Sequence, residues 1–202
     1  EARLLARLNH PVILRVHDLV TLNAQPALVT ELIEGEDLAS LLGGAERLPP
    51  RMVLEIAAGL GDALAAAFQT RGPTGSPLRL VHRDVKPANV RVGRHGELRL
   101  LDFGVAWSTA DRAAKTATGL VIGSLPYMAP ERFRASEPQA SGDVFAVGCL
   151  LYEGLVGEPF HTRNGLQALA RLALDGASYA AHLEARLARL TDQPAPVRAL
   201  VA

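Results

Sequence analysis

The sequence holds one cysteine, Cys149, and no second with which to pair it. That excludes an internal disulfide framework and suits a reducing compartment, with Cys149 expected as a small buried hydrophobe in its apolar run. Lysine is nearly missing: Lys86 and Lys115 stand against 19 arginines (21 basic residues less two), a bias of composition rather than of function. Net charge is absent as well, since 21 basic and 21 acidic residues give +0. No field therefore points to nucleic acid or to an anionic membrane as partner. No stretch is expected to reach the length of a membrane span. There is no internal repeat, no low-complexity tract and no G-x-G-x-x-G run. His10, His17, His95, His161 and His182 lack metal-ligand spacing. What remains, 49% hydrophobic and 21% charged over 202 residues, fits a soluble globular chain of one or two domains.

Against this background stand three short motifs in one order: His82-Arg83-Asp84-Val85-Lys86-Pro87-Ala88-Asn89, Asp102-Phe103-Gly104 and Ala129-Pro130-Glu131. Their chemistry is that of moving a terminal phosphate onto a hydroxyl, which requires positioning and charge neutralisation more than covalent help. Asp84 is the carboxylate to accept or orient the hydroxyl proton. Asp102 and Asn89 offer hard oxygens suited to Mg²⁺, which keeps several waters and takes few protein ligands. Lys86, two residues after Asp84, reaches the transferring phosphate as a point charge.

At these residues the chain resembles the eukaryotic-type protein kinase family, and within it the bacterial serine/threonine kinases. The resemblance implies an α+β, two-lobed protein kinase-like fold, mostly the helical C-lobe with a partial N-lobe (the end of the αC helix and the last two strands). Residues 1–32 would be the partial N-lobe, 33–37 the hinge and 38–202 a C-lobe truncated at its C-terminus. It further implies ATP and Mg²⁺ as cofactors, with Asp84, Lys86, Asn89 and Asp102 catalytic and Asn89 and Asp102 the metal ligands. Glu1 falls on the glutamate that pairs with the nucleotide-positioning lysine. Thr30 would be the gatekeeper, the backbone of Glu31 and Ile33 would meet the adenine edge, and Asp37 could reach the ribose. Arg91 departs from the pattern: it stands where the family places a bulky apolar residue under the adenine, and either stacks on the base or snorkels away. Ser124 takes the place of a threonine that hydrogen-bonds the catalytic Asp and Lys. His82 would be structural, packed near Phe103, Leu5 and Val16, and Asp143 a brace beneath the catalytic loop. Glu131 would form a buried salt bridge with a C-lobe arginine.

Residues 102–131 would be the activation segment. Arg83 would pair with a phosphate placed there, and Thr116 and Thr118 are the expected autophosphorylation sites. The implied partners are proteins bearing Ser or Thr, with self-association for trans-autophosphorylation, no nucleic acid and no membrane contact within this segment. The implied location is cytoplasmic, with room for a membrane anchor elsewhere in a parent protein. The missing glycine-rich loop and upstream lysine would make the chain a fragment of a longer kinase domain, expected to have negligible activity alone. Two other readings compete: a pseudokinase serving as a binding or scaffold module, and a small-molecule phosphotransferase such as an aminoglycoside kinase. Lys86 and the Ala129-Pro130-Glu131 docking loop disfavour the latter.

Patterning predicts a helix end over 1–9, strands over 12–20 and 27–32 joined by a turn at 23–26, and a short helix over 37–42 closed by Gly43-Gly44. A long helix opens at Pro49-Pro50, its apolar stripe running Val53, Ile56, Ala57, Leu60, Leu64, Ala67 and Phe68. Residues 72–77 form a turn-rich insert, and 90–92 and 98–101 a hairpin. An apolar helix spans 141–156, two further helices span 166–173 and 182–190, and 196–202 begins another.

Overall fold

The computed structural model describes residues 8–103, 124–134, 139–161 and 165–201. The first strands among the described residues, β1 (Val16–Leu22) and β2 (Gln25–Thr30), form an antiparallel hairpin paired from Leu22↔Gln25 to Val16↔Thr30, with a register shift between Val16 and Asp18. Asn23 and Ala24 turn it at φ 52° and 61°, the doubly left-handed geometry that matches strand twist in a two-residue loop. The first strand starts at Val16, four residues after its expected start. Ile13 instead bridges Leu100 in parallel, with Leu14 N donating to Leu100 O at 3.0 Å.

A second sheet has the order β3 (Gly35–Asp37), β4 (Val90–Gly93), β5 (Leu98–Leu100), all antiparallel. The strand β3 was not expected, because three residues are too few to show alternation. Gly35 is required there: a Cβ would lie 2.0 Å from the Val92 carbonyl oxygen. β3 runs directly into α1 (Leu38–Leu42), where Asp37 caps the helix by accepting from Ser40 N at 2.7 Å.

The helical part centres on α2 (Pro50–Gln69) and α3 (Ala140–Val156). α2 opens with Pro at its first position, as expected. Val53, Ile56, Leu60, Ala63, Leu64 and Ala67 are buried. Phe68 is not, being 37% exposed. Contrary to the expectation from sequence, α2 is long and apolar enough to cross a membrane by length and composition. Its buried face nevertheless packs on α3 so closely that a Cβ on Gly154 would stand 2.5 Å from Val53 Cγ1. α3 ends at Gly157 in the left-handed conformation (φ 80°), its N–H returned to Glu153 O. Cys149 is buried in this helix, and burial pushes its thiol well above the ordinary value.

Three helices follow: α4 (Leu166–Leu174), α5 (Gly176–Leu187) and α6 (Ala195–Val201). α5 starts six residues before its expected start because Asp175 caps it, accepting from Ala177 N and Ser178 N. The expected helix end at the N-terminus lies almost wholly outside the described residues.

Candidate active site

The segment 82–89 has almost no regular structure of its own, so its shape comes from what holds it. Asp143, in the first turn of α3, accepts the backbone N–H of His82 at 2.6 Å and of Arg83 at 2.8 Å. Burial raises the Asp143 pKa, and those two N–H bonds oppose the rise. The carboxylate thus substitutes for the backbone partners that an irregular buried loop lacks. This is the bracing role expected for Asp143.

His82 is fully buried, and burial holds its pKa below the ordinary imidazole value. Its Nε2 lies 2.8 Å from Leu101 O, and its Nδ1 lies 3.3 Å from Asp84 N. A carbonyl can only accept and an amide N–H can only donate, so the ring is the neutral Nε2–H tautomer, donating to Leu101 and accepting from Asp84. Its ring meets Phe103 edge-on at 4.7 Å between centroids. His82 is structural, as expected, and it also fixes the spacing of the two motifs. Of the other two expected neighbours, Leu5 lies outside the described residues, and Val16 opens β1.

With the loop held, its functional side chains converge. Lys86 Nζ donates to Asp84 Oδ2 at 2.6 Å and to Ser124 Oγ at 3.1 Å. Ser124 Oγ in turn donates to Asp84 Oδ1 at 2.7 Å. Asn89 Nδ2 donates to Asp84 O at 2.8 Å and to Asp84 Oδ2 at 3.2 Å, which leaves its amide oxygen as an acceptor. Asn89 itself is buried, at the end of a 3₁₀ turn (Pro87–Asn89) that leads into β4. Leu101 N donates to Asn89 O at 2.8 Å, so Asp102 follows directly from the segment tied to Asn89. Asp102 is exposed at φ 55°, and Arg83 is exposed at φ 75°. Left-handed conformations at two non-glycine residues store strain of order 1–3 kcal/mol each, as functional segments often do.

Ser124 opens the turn Leu125–Tyr127, which α3 and the following segment hold from below. Tyr127 Oη donates to Glu153 Oε2 at 2.6 Å in a buried pair, and His161 Nδ1 donates to Pro126 O at 3.2 Å. His161 Nε2 then accepts from Tyr179 Oη at 3.2 Å, and its ring stacks on His182. Burial first, and His182 second, lower the His161 pKa to about 4. Sequence reasoning assigned these histidines nothing. Glu131 is only half-buried and meets Ser141 Oγ at 3.5 Å; the expected buried salt bridge is not formed among the described residues.

At the end of β2, Thr30 Oγ1 donates to Glu31 O at 3.1 Å. The Glu31 side chain pairs with Arg99 at 2.9 and 3.3 Å and accepts from Arg15 N at 2.9 Å, anchoring this stretch to β5. The Arg99 bonds hold its carboxyl below the usual range. Arg91, opposite Asp37 in the β3–β4 pair, neither snorkels away nor stands free: its Nε donates to Ile33 O at 3.3 Å. Glu1, Thr116 and Thr118 lie outside the described residues, as does Gly104.

A single carboxylate and a single amide oxygen form no closed metal cage, and no cluster of three or more His, Cys, Asp or Glu is present among the described residues. Such a donor set fits a hard, partly hydrated divalent cation shared with phosphates rather than a structural metal.

The protein kinase domain family matches the chain over residues 1–199, and the chain belongs to that family. Its helix-rich structure with few strands is the partial two-lobed form of the protein kinase fold. The family uses ATP and a divalent metal to phosphorylate proteins. The chain is 36% identical over 163 residues to the serine/threonine-protein kinase PknB of Mycobacterium leprae, covering 79% of this chain and 25% of that one. It is 37% identical over 175 residues to the serine/threonine-protein kinase PknL of Mycobacterium tuberculosis, covering 87% and 42%. It is also 36% identical over 177 residues to the tyrosine-protein kinase MasK of Myxococcus xanthus, covering 85% and 27%. The chain therefore spans about a quarter to two-fifths of the length of these relatives.

Proposed function

We propose that this chain carries the catalytic centre of an ATP-dependent protein serine/threonine kinase. The observation that carries the reading is the closed triangle of Asp84, Lys86 and Ser124, braced by Asn89. Asp84 accepts or orients the proton of the incoming hydroxyl. Lys86, already beside Asp84, stabilises charge on the transferring phosphate. Ser124 sets the Asp84 rotamer from the side on which a peptide would dock. Asn89 and Asp102 would hold Mg²⁺, which when bound neutralises charge on the phosphate oxygens. The backbone of Glu31 and Ile33, with Thr30 behind and Arg91 below, would receive the base, and Asp37 the ribose. Glu1 would pair with a nucleotide-positioning lysine.

Arg83 has an exposed side chain with no ion pair among the described residues, which suits it to a phosphate on Thr116 or Thr118. Autophosphorylation there, between two associated copies, is the regulation this reading implies. A cytoplasmic catalytic segment without membrane contact is the location it implies. Both relatives named as serine/threonine kinases and one named as a tyrosine kinase share this level of identity, so the acceptor residue is itself a readout.

The test is transfer from labelled ATP with Mg²⁺ by the full-length protein, beside Asp84→Asn and Asp102→Ala, with phosphosite mapping. The expected result is phosphate on Ser or Thr, including Thr116 or Thr118, falling by about 10²–10⁴-fold in Asp84→Asn. Equal transfer by wild type and Asp84→Asn would overturn it. A second reading, a nucleotide-binding scaffold with little turnover, draws on Arg91, which stands where the resemblance expects an apolar residue under the adenine.

A further inference from the structure

The turn Leu125–Tyr127 is held at two consecutive residues, and the two holds differ in kind. Tyr127 reaches Glu153 with its own side chain. Pro126 is held by its backbone: its carbonyl oxygen receives His161 Nδ1 at 3.2 Å, and receives no other hydrogen bond among the described residues. Proline has no N–H, so this carbonyl is the only backbone group through which hydrogen bonding can fix Pro126. The turn closes on the site, since Tyr127 N donates to Ser124 O at 3.1 Å and Ser124 Oγ donates to Asp84. Pro126 lies inside that closure, so whatever fixes its carbonyl also fixes where the turn stands relative to Asp84.

His161 is itself oriented for this. It is 1% exposed, so it cannot turn to water for another partner. With Nδ1–H committed to a carbonyl, the neutral ring leaves Nε2 as an acceptor, and Tyr179 Oη on α5 donates to it at 3.2 Å. Burial opposes a second proton on the ring, as do the stacked His182 and, to a lesser degree, Arg186. Burial likewise pushes the Tyr179 hydroxyl well above its ordinary value, so it stays a donor. We propose that His161, oriented by Tyr179, is a positioning residue for the acceptor: it holds the docking turn where a peptide hydroxyl can meet Asp84. This rests on the protein kinase reading and adds a residue to its acceptor side. Asp84 keeps its own ties to Lys86 and Asn89, and Thr30, Asp37 and Arg91 stand on β2, β3 and β4. The role of His161 therefore falls on the peptide and not on ATP.

The experiment is steady-state kinetics of the full-length protein on the peptide that the wild type phosphorylates best from a Ser/Thr peptide array, with ATP and peptide varied in turn. The variants are His161→Leu, His161→Asn, Tyr179→Phe and the double variant of the last two, each assayed below its melting midpoint. Asn places an amide N–H where the Nδ1–H stood and has nothing at the place of Nε2. The expected result for His161→Leu is a fall of about tenfold in kcat/KM for peptide, carried by the peptide KM, with the KM for ATP unchanged. His161→Asn should restore most of it. Tyr179→Phe should fall between, and should add nothing on the His161→Asn background, because the ring nitrogen through which it acts is gone. If His161→Leu does not melt cooperatively, Tyr179→Phe decides alone: an equal fall in both backgrounds would overturn the inference and assign the effect to packing. Equal rises in the KM for ATP and for peptide would overturn it too. So would variants that all match a wild type able to transfer phosphate, an outcome that leaves the kinase reading intact. A wild type that transfers phosphate to no peptide would remove that reading and the inference with it.

Discussion

At the residue scale the site is a set of single hydrogen bonds with clear donors and acceptors. Ser124 is the most informative of them, because its hydroxyl is simultaneously donor to Asp84 and acceptor from Lys86. Ser124→Ala removes both bonds and leaves the Asp84–Lys86 ion pair intact. The expected outcome is a fall in kcat of about tenfold, on the order of one hydrogen bond to a charged group, with Ser124→Thr restoring it; steady-state kinetics on a peptide substrate separates this from a change in KM. The grouping of Asp84, Lys86 and Asn89 was legible in the sequence because phosphoryl transfer demands those residue types at close spacing. Arg91 was legible as a departure, but its outcome was not: the partner, Ile33 O, lies 58 residues earlier and only the folded β3–β4 pair brings it near. The Glu31–Arg99 pair, 68 residues apart, left no local sign at all.

At the scale of elements, placement of the site depends on how closely α2 and α3 approach, since α3 carries Asp143 and so carries the catalytic loop. Gly154→Ala places a methyl 2.5 Å from a branched, buried Val53 that has no flexible end to yield. The expected outcome is a loss of about 1–3 kcal/mol, measured by urea unfolding, with Val53→Ala on the same background recovering part of it. Helix periodicity located α2, with Pro49-Pro50 marking its start, and a largely apolar run located α3. Strand β3 escaped because it is three residues long and its pairing with β4 is a long-range event. The true start of α5 had a usable sign in Asp175, whose carboxylate caps the helix, but Gly176 at the first position masked it.

At the scale of the whole molecule, two imidazoles, those of His82 and His161, are buried with their pKa values lowered, and His161 is the clearer. Its pKa is held near 4 in the folded state against an ordinary value of 6.5, so the folded state disfavours its protonation. Stability from this residue is complete above pH 6.5, is lost as pH falls from 6.5 toward 4, and levels off below that. The total is roughly 3 kcal/mol if the whole shift is realised. His82 and His182 are shifted in the same direction, also by burial. His161→Asn, which can still donate to Pro126 O, should flatten the curve of unfolding free energy between pH 6.5 and 4 relative to wild type. An unchanged slope would assign the loss to other groups. None of this was legible beforehand, because His161, His182 and Tyr179 meet only when α5 packs beside the docking turn.

The two ties between the motifs, His82 to Leu101 and Leu101 to Asn89, have a consequence for turnover. The backbone segments carrying Asn89 and Asp102, the residues proposed to take a cation, are tied to one another by the protein's own scaffold. A divalent ion can then come and go with each catalytic cycle without the loop having to reorganise, and its capture need not be slowed by ordering. Chelation of the full-length protein with EDTA should therefore abolish transfer yet leave the thermal midpoint within about 1 °C of the metal-replete protein, as mass action requires when an ion binds weakly and loosely. A midpoint that collapses on chelation would mean that the ion builds the site rather than visits it.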